Sequence, residues 1–389
     1  MKHYLMSLIV TLVMASVTLG QDTPPSFVIL ETKVISPVDQ YNQHLYYGWP
    51  TVGIDAGGQL FAVASGGRDE HVCPFGRVDF LRSHDGGETW TWPQTALDGP
   101  IDDRDAGIVI TPNGTIIMTT FTSLAYEQSL KAAIANQNAG QPNFSDTKLK
   151  NWLAVHTRIS SEERNNALGN WAVRSTDNGV NWSQRIDTIV NSPHGPTVLD
   201  DGRLLYVGKT LWGKPERCGV AESTDDGKTW QWVAELPTRD GDSVEQYHEW
   251  HAVQTSSGKI VAQVRNHNPA NNNETLQCES DDGGKTWTKP HPIGVWGHPS
   301  HMTRLQDGRI LMSYGHRRAP LGNQVRMSAD EGQTWSEPII VSGDGISGDL
   351  GYPSTVQLQD GTLVTLWYEK MQDYPKCVLR IAKWKLLDE

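Results

Sequence analysis

The sequence is poor in three things, and each scarcity excludes something. It holds only four cysteines in 389 residues, Cys73, Cys218, Cys278 and Cys377, with no CxxC spacing among them. That rules out a zinc knuckle or a disulfide scaffold and leaves buried thiols or one incidental bridge. Basic clusters are missing as well. Lys and Arg number 33 against 45 Asp and Glu, the net charge is −12, and no basic run occurs. Nucleic acid and anionic membrane surfaces are therefore poor partners, although a local group of arginines can still receive an anionic substrate. Long apolar runs are confined to the beginning. Lys2 and His3 precede an apolar stretch from Leu5 to Leu19, and Thr18-Leu19-Gly20 forms a small-residue cleavage pattern. This predicts a signal peptide over residues 1–20, a secreted or periplasmic chain over 21–389, and no membrane span in the mature chain.

What the sequence does have is repetition. Five segments, Ser83–Trp90, Ser175–Trp182, Ser223–Trp230, Ser280–Trp287 and Ser328–Trp335, read Ser-x-Asp-x-Gly-x-(Thr/Asn)-Trp. In such a box Ser and Asp bond a tight turn, Gly supplies a positive φ, and Trp buries beneath. Five boxes mean a repeated supersecondary unit. The unit is an apolar strand, a Gly turn, a second strand, a variable loop, a third strand, the box and a fourth strand. Six strand–turn–strand openings occur, the last at Asp360-Gly361 without a box. The sixth copy lacks its fourth strand, which the spare N-terminal strand within Phe27 to Val34 can supply. Pairing the termini in this way closes a ring and removes the exposed sheet edges. The fold class is therefore all-β, a six-bladed β-propeller of four-stranded antiparallel blades forming one domain. A closed ring needs no partner to bury its edges, so a monomer is expected. The second copy carries an insertion over 121–169, with helical patterns at Ser129–Ala139 and Lys148–His156. Insertions of this length are binding loops, lids or packing appendages.

Repeat geometry also directs attention to one face. Boxes and first turns share one end of the ring, so first-strand starts and second-strand exits share the other. The boxes read as turn-building residues without a catalytic role. The opposite face collects Trp49, Arg104, Asp105, His194, Glu249, His251, His298, His301 and Tyr352 from strand starts. From second-strand exits it collects Arg68, Asp69, Glu70, Lys209, Arg265, His267, His316, Arg317, Arg318 and Glu369. All six blades contribute titratable groups.

Over essentially its whole mature length the chain resembles the sialidase-type, Asp-box propeller glycosidases. Four local matches carry the resemblance beyond the boxes. Arg68-Asp69-Glu70-His71 follows the first blade's second strand, where the family places its acid/base Asp. Glu249 opens the fourth blade and Arg265 ends the strand after it, similar to the family's catalytic Glu and second carboxylate-binding Arg. Arg317 or Arg318 stands at the third such Arg. Gly351-Tyr352-Pro353-Ser354, followed by Trp367-Tyr368-Glu369, resembles the segments of the nucleophilic Tyr and its following Glu. The resemblance implies a retaining exo-glycosidase for terminal sialic acid or a related acidic sugar, with no cofactor and no metal. Its catalytic residues would be Asp69, Glu249 and Tyr352. Its carboxylate-binding residues would be Arg265 and Arg317 or Arg318, with Glu369 as buttress; the face itself adds Arg68, Trp49, Arg104, His194, His251, His298 and His301 as candidate substrate contacts.

One departure bears on the substrate. The family's first-blade motif is Arg-Ile-Pro, and this chain reads Gly48-Trp49-Pro50. Glu369, which would buttress that Arg, is then expected to lack its partner, and Arg104 or Arg77 is the candidate replacement. With several histidines on the same face, two further readings stand beside the first. One is a hydrolase or polysaccharide lyase for a non-sialic, uronate-type glycan. The other is a glycan-binding propeller without catalysis.

Overall fold

The computed structural model describes residues 26–37 and 45–387. The expected signal segment lies outside the described residues. Six four-stranded antiparallel sheets are present. The first blade is Tyr46–Ile54, Leu60–Arg68, Arg77–Ser83 and Gln94–Leu97, and the next four follow the same order. The sixth closes the ring as expected. Its strands Leu350–Gln357, Leu363–Lys370 and Cys377–Leu386 are completed by Phe27–Val34, paired antiparallel from Phe27 with Leu386 to Val34 with Arg380.

The boxes have the chemistry their sequence implies. Ser83 Oγ accepts from the Gly87 amide at 2.9 Å and donates to Asp85 at 2.8 Å, while Asp85 accepts from the Thr89 amide and hydroxyl. Gly87 has φ 88°. At Asp282 the Thr286 hydroxyl and amide hold the carboxyl at about 2. The box tryptophans are half-buried rather than buried, each packing against an apolar core cluster while keeping part of its surface open. Apolar layers between neighbouring sheets form the core, as where Leu60, Ala62 and Leu81 meet Leu366, Leu379 and Ile381. Near the axis the backbones approach closely. A Cβ on Gly107 would lie 2.4 Å from the Gly195 amide nitrogen, so only glycine fits there.

The insertion holds three helices, α1 (Tyr126–Asn138), α2 (Asp146–Thr157) and α3 (Ser161–Asn166). The third was not anticipated, though its capping box is readable: Ser160 Oγ accepts from the Glu163 amide and Glu163 returns to the Ser160 amide. Tyr126, Leu130 and Trp152 pack with Cys73, so an insertion from blade 2 covers the loop that leaves the second strand of blade 1. All four cysteines are buried and unbridged. Among the described residues no helix is long and apolar enough to cross a membrane.

Candidate active site

Three first strands begin with the same irregularity. Trp49, Asp105 and Tyr352 have φ of 49°, 52° and 52°. In each blade the ladder slips at that point, between Gly48 and Thr51, Arg104 and Gly107, and Gly351 and Ser354. Such bulges re-aim a side chain, and positive φ in non-glycine residues concentrates at functional sites. Blade 4 slips similarly between Tyr247 and Trp250, the stretch that carries Glu249.

Two of these irregularities meet. Tyr352 Oη donates to Glu249 Oε1 at 2.7 Å. Arg265 Nη1 donates to both Glu249 oxygens at 3.0 and 3.3 Å and lies 3.5 Å from Tyr352 Oη. Burial alone would raise the Glu249 carboxyl, but Arg265, His248 and the Tyr352 hydroxyl hold it at about 2. Burial, then Glu249 and Asp105, push the Tyr352 phenol well above its ordinary range. The resting pair is thus a phenol donating to a carboxylate. Arg265 Nε also donates to His267 Nε2 at 2.7 Å.

Other cations and rings surround this pair. Arg317 donates twice to the Leu350 carbonyl, with its guanidinium 5.9 Å from the Tyr352 ring centroid. Arg318 stacks on Trp296 at 3.7 Å, and His298 lies 5.3 Å from Trp296, ring to ring. Burial, with Arg265 and Arg317 nearby, lowers His298 to about 3. Arg104 lies 4.4 Å over the Trp49 ring and makes no ion pair among the described residues.

The remaining candidates lie apart from Tyr352 Oη. Arg68 is fully buried, paired with Asp102 at 2.5 Å and bonded to Ser65 and to the Asp103 and His71 carbonyls, so it is a tie beneath the face. Trp49 is 2% exposed, within 6.5 Å of the Tyr352 ring, with Arg68 and Arg104 against its own. Asp69 is half-buried; one carboxylate oxygen accepts from Trp152 Nε1 of α2 at 3.1 Å and the other meets no donor in the protein. Glu369 does have a partner. It accepts from Trp367 Nε1 and Arg380 Nη1, both at 2.6 Å, on the side of its strand turned away from Tyr368. Its neighbour Tyr368 is the residue that packs 6.0 Å from Tyr352.

His194, His251 and His301 gather behind Tyr352, the first 6.2 Å from its ring. They floor a cavity of about 290 Å³ along the axis that reaches Ile54, Ile110 and Arg304, the far ends of the first strands. Burial drives all three imidazoles down, His251 to about 3. His251 Nδ1 already accepts from the Met302 amide. Among the described residues no group of three or more His, Cys, Asp or Glu is arranged to hold a metal.

Three groups were given no role from sequence, although Asp105 was placed on the face and His71 in the first-blade match. Asp105 is 8% exposed and raised by burial to about 7. It shares a cavity of about 130 Å³ with Glu249, His248 and Lys209. Aligning Arg104-Asp105-Ala106 with Gly351-Tyr352-Pro353 would have given it a position equivalent to Tyr352. His71 Nδ1 and Asp349 Oδ1 lie 2.9 Å apart beside Trp49. No repeat signal marks them, because both sit in variable loops.

The BNR repeat-like domain matches residues 143–365, more than half of the chain. The chain belongs to the BNR repeat-like domain family. A sialidase of Paraclostridium sordellii is 27% identical over 231 residues, covering 49% of this chain and 56% of that protein, so the chain spans little more than half of that relative. Among solved structures, a protein of unknown function from Dyadobacter fermentans matches with a TM-score of 0.71 at 23% identity, covering 93% of this chain and all of that one. The leech intramolecular trans-sialidase, complexed with 2,7-anhydro-Neu5Ac, matches with a TM-score of 0.63 at 15% identity over 92% and 70% of the two chains. At these identities the structural matches show the propeller fold.

Proposed function

We propose that this protein is an exported retaining glycosidase that removes a terminal acidic sugar, sialic acid or a relative, from glycans. The observation that carries the reading is the Tyr352–Glu249 bond of 2.7 Å with Arg265 on the same carboxylate. A phenol needs a base to act as a nucleophile at neutral pH, and Glu249 is in place to take its proton. A neutral phenol also approaches an anomeric carbon bearing a carboxylate without charge repulsion. Arg265, Arg317 and the unpaired Arg104 supply forked donors for the acid group. An anionic substrate that engages Arg265 competes with Glu249 for one guanidinium, which strengthens Glu249 as a base when substrate is present. The proton for the leaving oxygen would come from the loop after the second strand of blade 1, where the sialidase resemblance names Asp69.

The test uses 4-methylumbelliferyl glycosides of N-acetylneuraminic acid and of glucuronic acid, with products identified by mass. Release of one free sugar by wild type, and loss of ~10³-fold or more in Tyr352→Phe with an unchanged melting temperature, is expected. Wild-type turnover retained in Tyr352→Phe would refute the reading. A second reading, a lyase for uronate-containing glycans, is favoured by Trp49 where the first carboxylate-binding arginine would stand. Unsaturated products absorbing in the ultraviolet from acidic polysaccharides would select it.

A further inference from the structure

We infer that His71, oriented by Asp349, is the group that protonates the leaving oxygen, and that Asp69 in the same loop instead anchors the helical insertion. The inference rests on the glycosidase reading above. Three observations carry it.

First, the Asp69 carboxylate is turned away from solvent, with one oxygen engaged and the other buried without a donor in the protein. Trp152 Nε1 donates to one oxygen at 3.1 Å, and Lys376 donates to the Asp69 carbonyl. Trp152 is itself fully buried against Tyr126 and Phe144. A carboxylate held beneath an indole of a packed insertion is well placed to fix that insertion and poorly placed to meet a glycosidic oxygen.

Second, His71 has the geometry of an oriented general acid. Its Nδ1 lies 2.9 Å from Asp349 Oδ1, and its side chain is 48% exposed. Asp349 is fixed in turn. Tyr46 Oη lies 3.0 Å from its oxygens, Tyr368 Oη donates to it at 3.1 Å, and Cys377 Sγ lies 3.4 Å away. Tyr46 Oη is also 3.0 Å from His71 Nδ1, and Arg68 donates to the His71 carbonyl. With Nδ1–H directed at a carboxylate, Nε2 is the nitrogen left for a ligand. Such base–orienter pairing is the recognised arrangement of catalytic histidines.

Third, one ring separates the pair from the nucleophile. The His71 ring meets Trp49 edge-on at 4.9 Å, and Trp49 lies 6.5 Å from the Tyr352 ring. Asp349 is three residues before Tyr352, and Arg317 clamps the intervening Leu350 carbonyl. One indole therefore spaces the proton donor from the nucleophile. The charged and titratable groups around the pair are Tyr46, Tyr368 and Cys377 on Asp349 and Arg68 on the His71 carbonyl, while Asp69 and Glu70 precede His71 in the loop and Glu70 pairs with Lys148.

The step balances. The bond from the anomeric carbon to the leaving oxygen breaks as the Tyr352 Oη–carbon bond forms. The Tyr352 proton moves to Glu249, and the His71 Nε2 proton moves to the leaving oxygen. In the second half, neutral His71 takes a proton from water as water attacks the anomeric carbon. Tyr352 leaves and recovers its proton from Glu249.

The experiment compares leaving groups on one sugar. Methyl and 4-methylumbelliferyl glycosides of N-acetylneuraminic acid and of glucuronic acid are assayed with wild type, His71→Gln and Asp69→Asn. If His71 is the acid, His71→Gln loses ~10²-fold or more in kcat/KM on the methyl glycoside and under ~10-fold on the aryl glycoside, whose leaving group needs little protonation. Its melting temperature is kept. Asp69→Asn keeps the wild-type ratio between the two substrates, whatever its absolute rate. Equal losses on both glycosides in His71→Gln, or a changed ratio in Asp69→Asn with none in His71→Gln, would overturn the assignment while leaving the glycosidase reading intact. No hydrolysis of any of the four glycosides by wild type would overturn that reading and this inference with it.

Discussion

Removing Arg265 tests the charge arrangement at the centre of the site, and it needs no substrate. Arg265 touches both Glu249 oxygens at 3.0 and 3.3 Å, and the two side chains are only 17% and 15% exposed. Burial raises Glu249 and Arg265 is the first group opposing it, for a net value of about 2 against the ordinary 4.5. A fall of that size corresponds to roughly 3 kcal/mol of stability, present above pH ~4.5 and lost as pH drops toward ~2. In Arg265→Met the sign reverses. Burial then dominates, the folded-state carboxyl rises above its unfolded value, and the variant loses stability as pH rises through and beyond ~4.5. At pH 8 an uncompensated buried carboxylate costs about 3–5 kcal/mol. With an unfolding entropy of ~2.1 cal/mol/K per residue, the 389 residues make that a fall of about 4–6 °C in melting temperature. Urea unfolding of both proteins at pH 5 and pH 8 provides the check. The gap between them should widen by roughly 2 kcal/mol toward pH 8. A gap equal at the two pH values, or one under ~1 kcal/mol at pH 8, would refute the reasoning that Arg265 is what keeps Glu249 ionised.

Arg68→Met strands Asp102, which is fully buried, and should cost about 3–5 kcal/mol in urea unfolding; adding Asp102→Leu should restore most of it. If Arg68 bound substrate instead, the double variant would regain stability but no substrate affinity. Trp152→Ala empties the centre of the insertion at a cost of about 3–5 kcal/mol, and limited proteolysis should then cut within residues 124–168 and leave the blades intact. Arg104→Gln should raise KM for an anionic glycoside ~10-fold or more, the worth of one charge-assisted hydrogen bond, with little change in kcat.

The ring was legible because a repeat states its rule several times. Ser, Asp, Gly and Trp at fixed spacing define a turn from local chemistry alone, and the sixth opening without a box located the closure by Phe27–Val34. The Tyr352–Glu249–Arg265 group was legible at one remove, since Tyr352 and Glu249 open the first strands of two blades, Arg265 leaves the second strand of Glu249's own blade, and the ring brings those points together. What could not be read was the direction in which each side chain points. Arg68 and Asp69 are consecutive, yet one turns inward to Asp102 and the other toward Trp152. Strand alternation places neighbours on opposite faces, but no rule of sequence says which buried acid will take an arginine. Glu369 is the same case: its strand twins are Trp367 outward and Tyr368 inward, and Arg380, eleven residues on, claims it.

The change at Trp49 is best understood together with that of Glu369. An arginine at position 49 would need a carboxylate within reach, and Glu369, the residue the resemblance offers, is committed to Arg380 and Trp367. An indole needs no such partner; it needs rings and cations around it, and here it has Tyr46, Tyr368, His71, Arg68 and Arg104. Position 49 thus holds an aromatic wedge, and Glu369, the acid that the resemblance would pair with an arginine there, is bound by the neighbouring strand instead. Arg104, held by stacking at 4.4 Å rather than by an acid, lies against that wedge. A guanidinium held only by stacking keeps its donors free for a ligand. Substituting arginine back at position 49 would place a second cation against Arg68 and Arg104 with no acid to receive it. Trp49→Arg should thus lower stability rather than restore carboxylate binding, and a variant at least as stable as wild type, with tighter binding of N-acetylneuraminic acid, would show that the slot had kept its old partner after all.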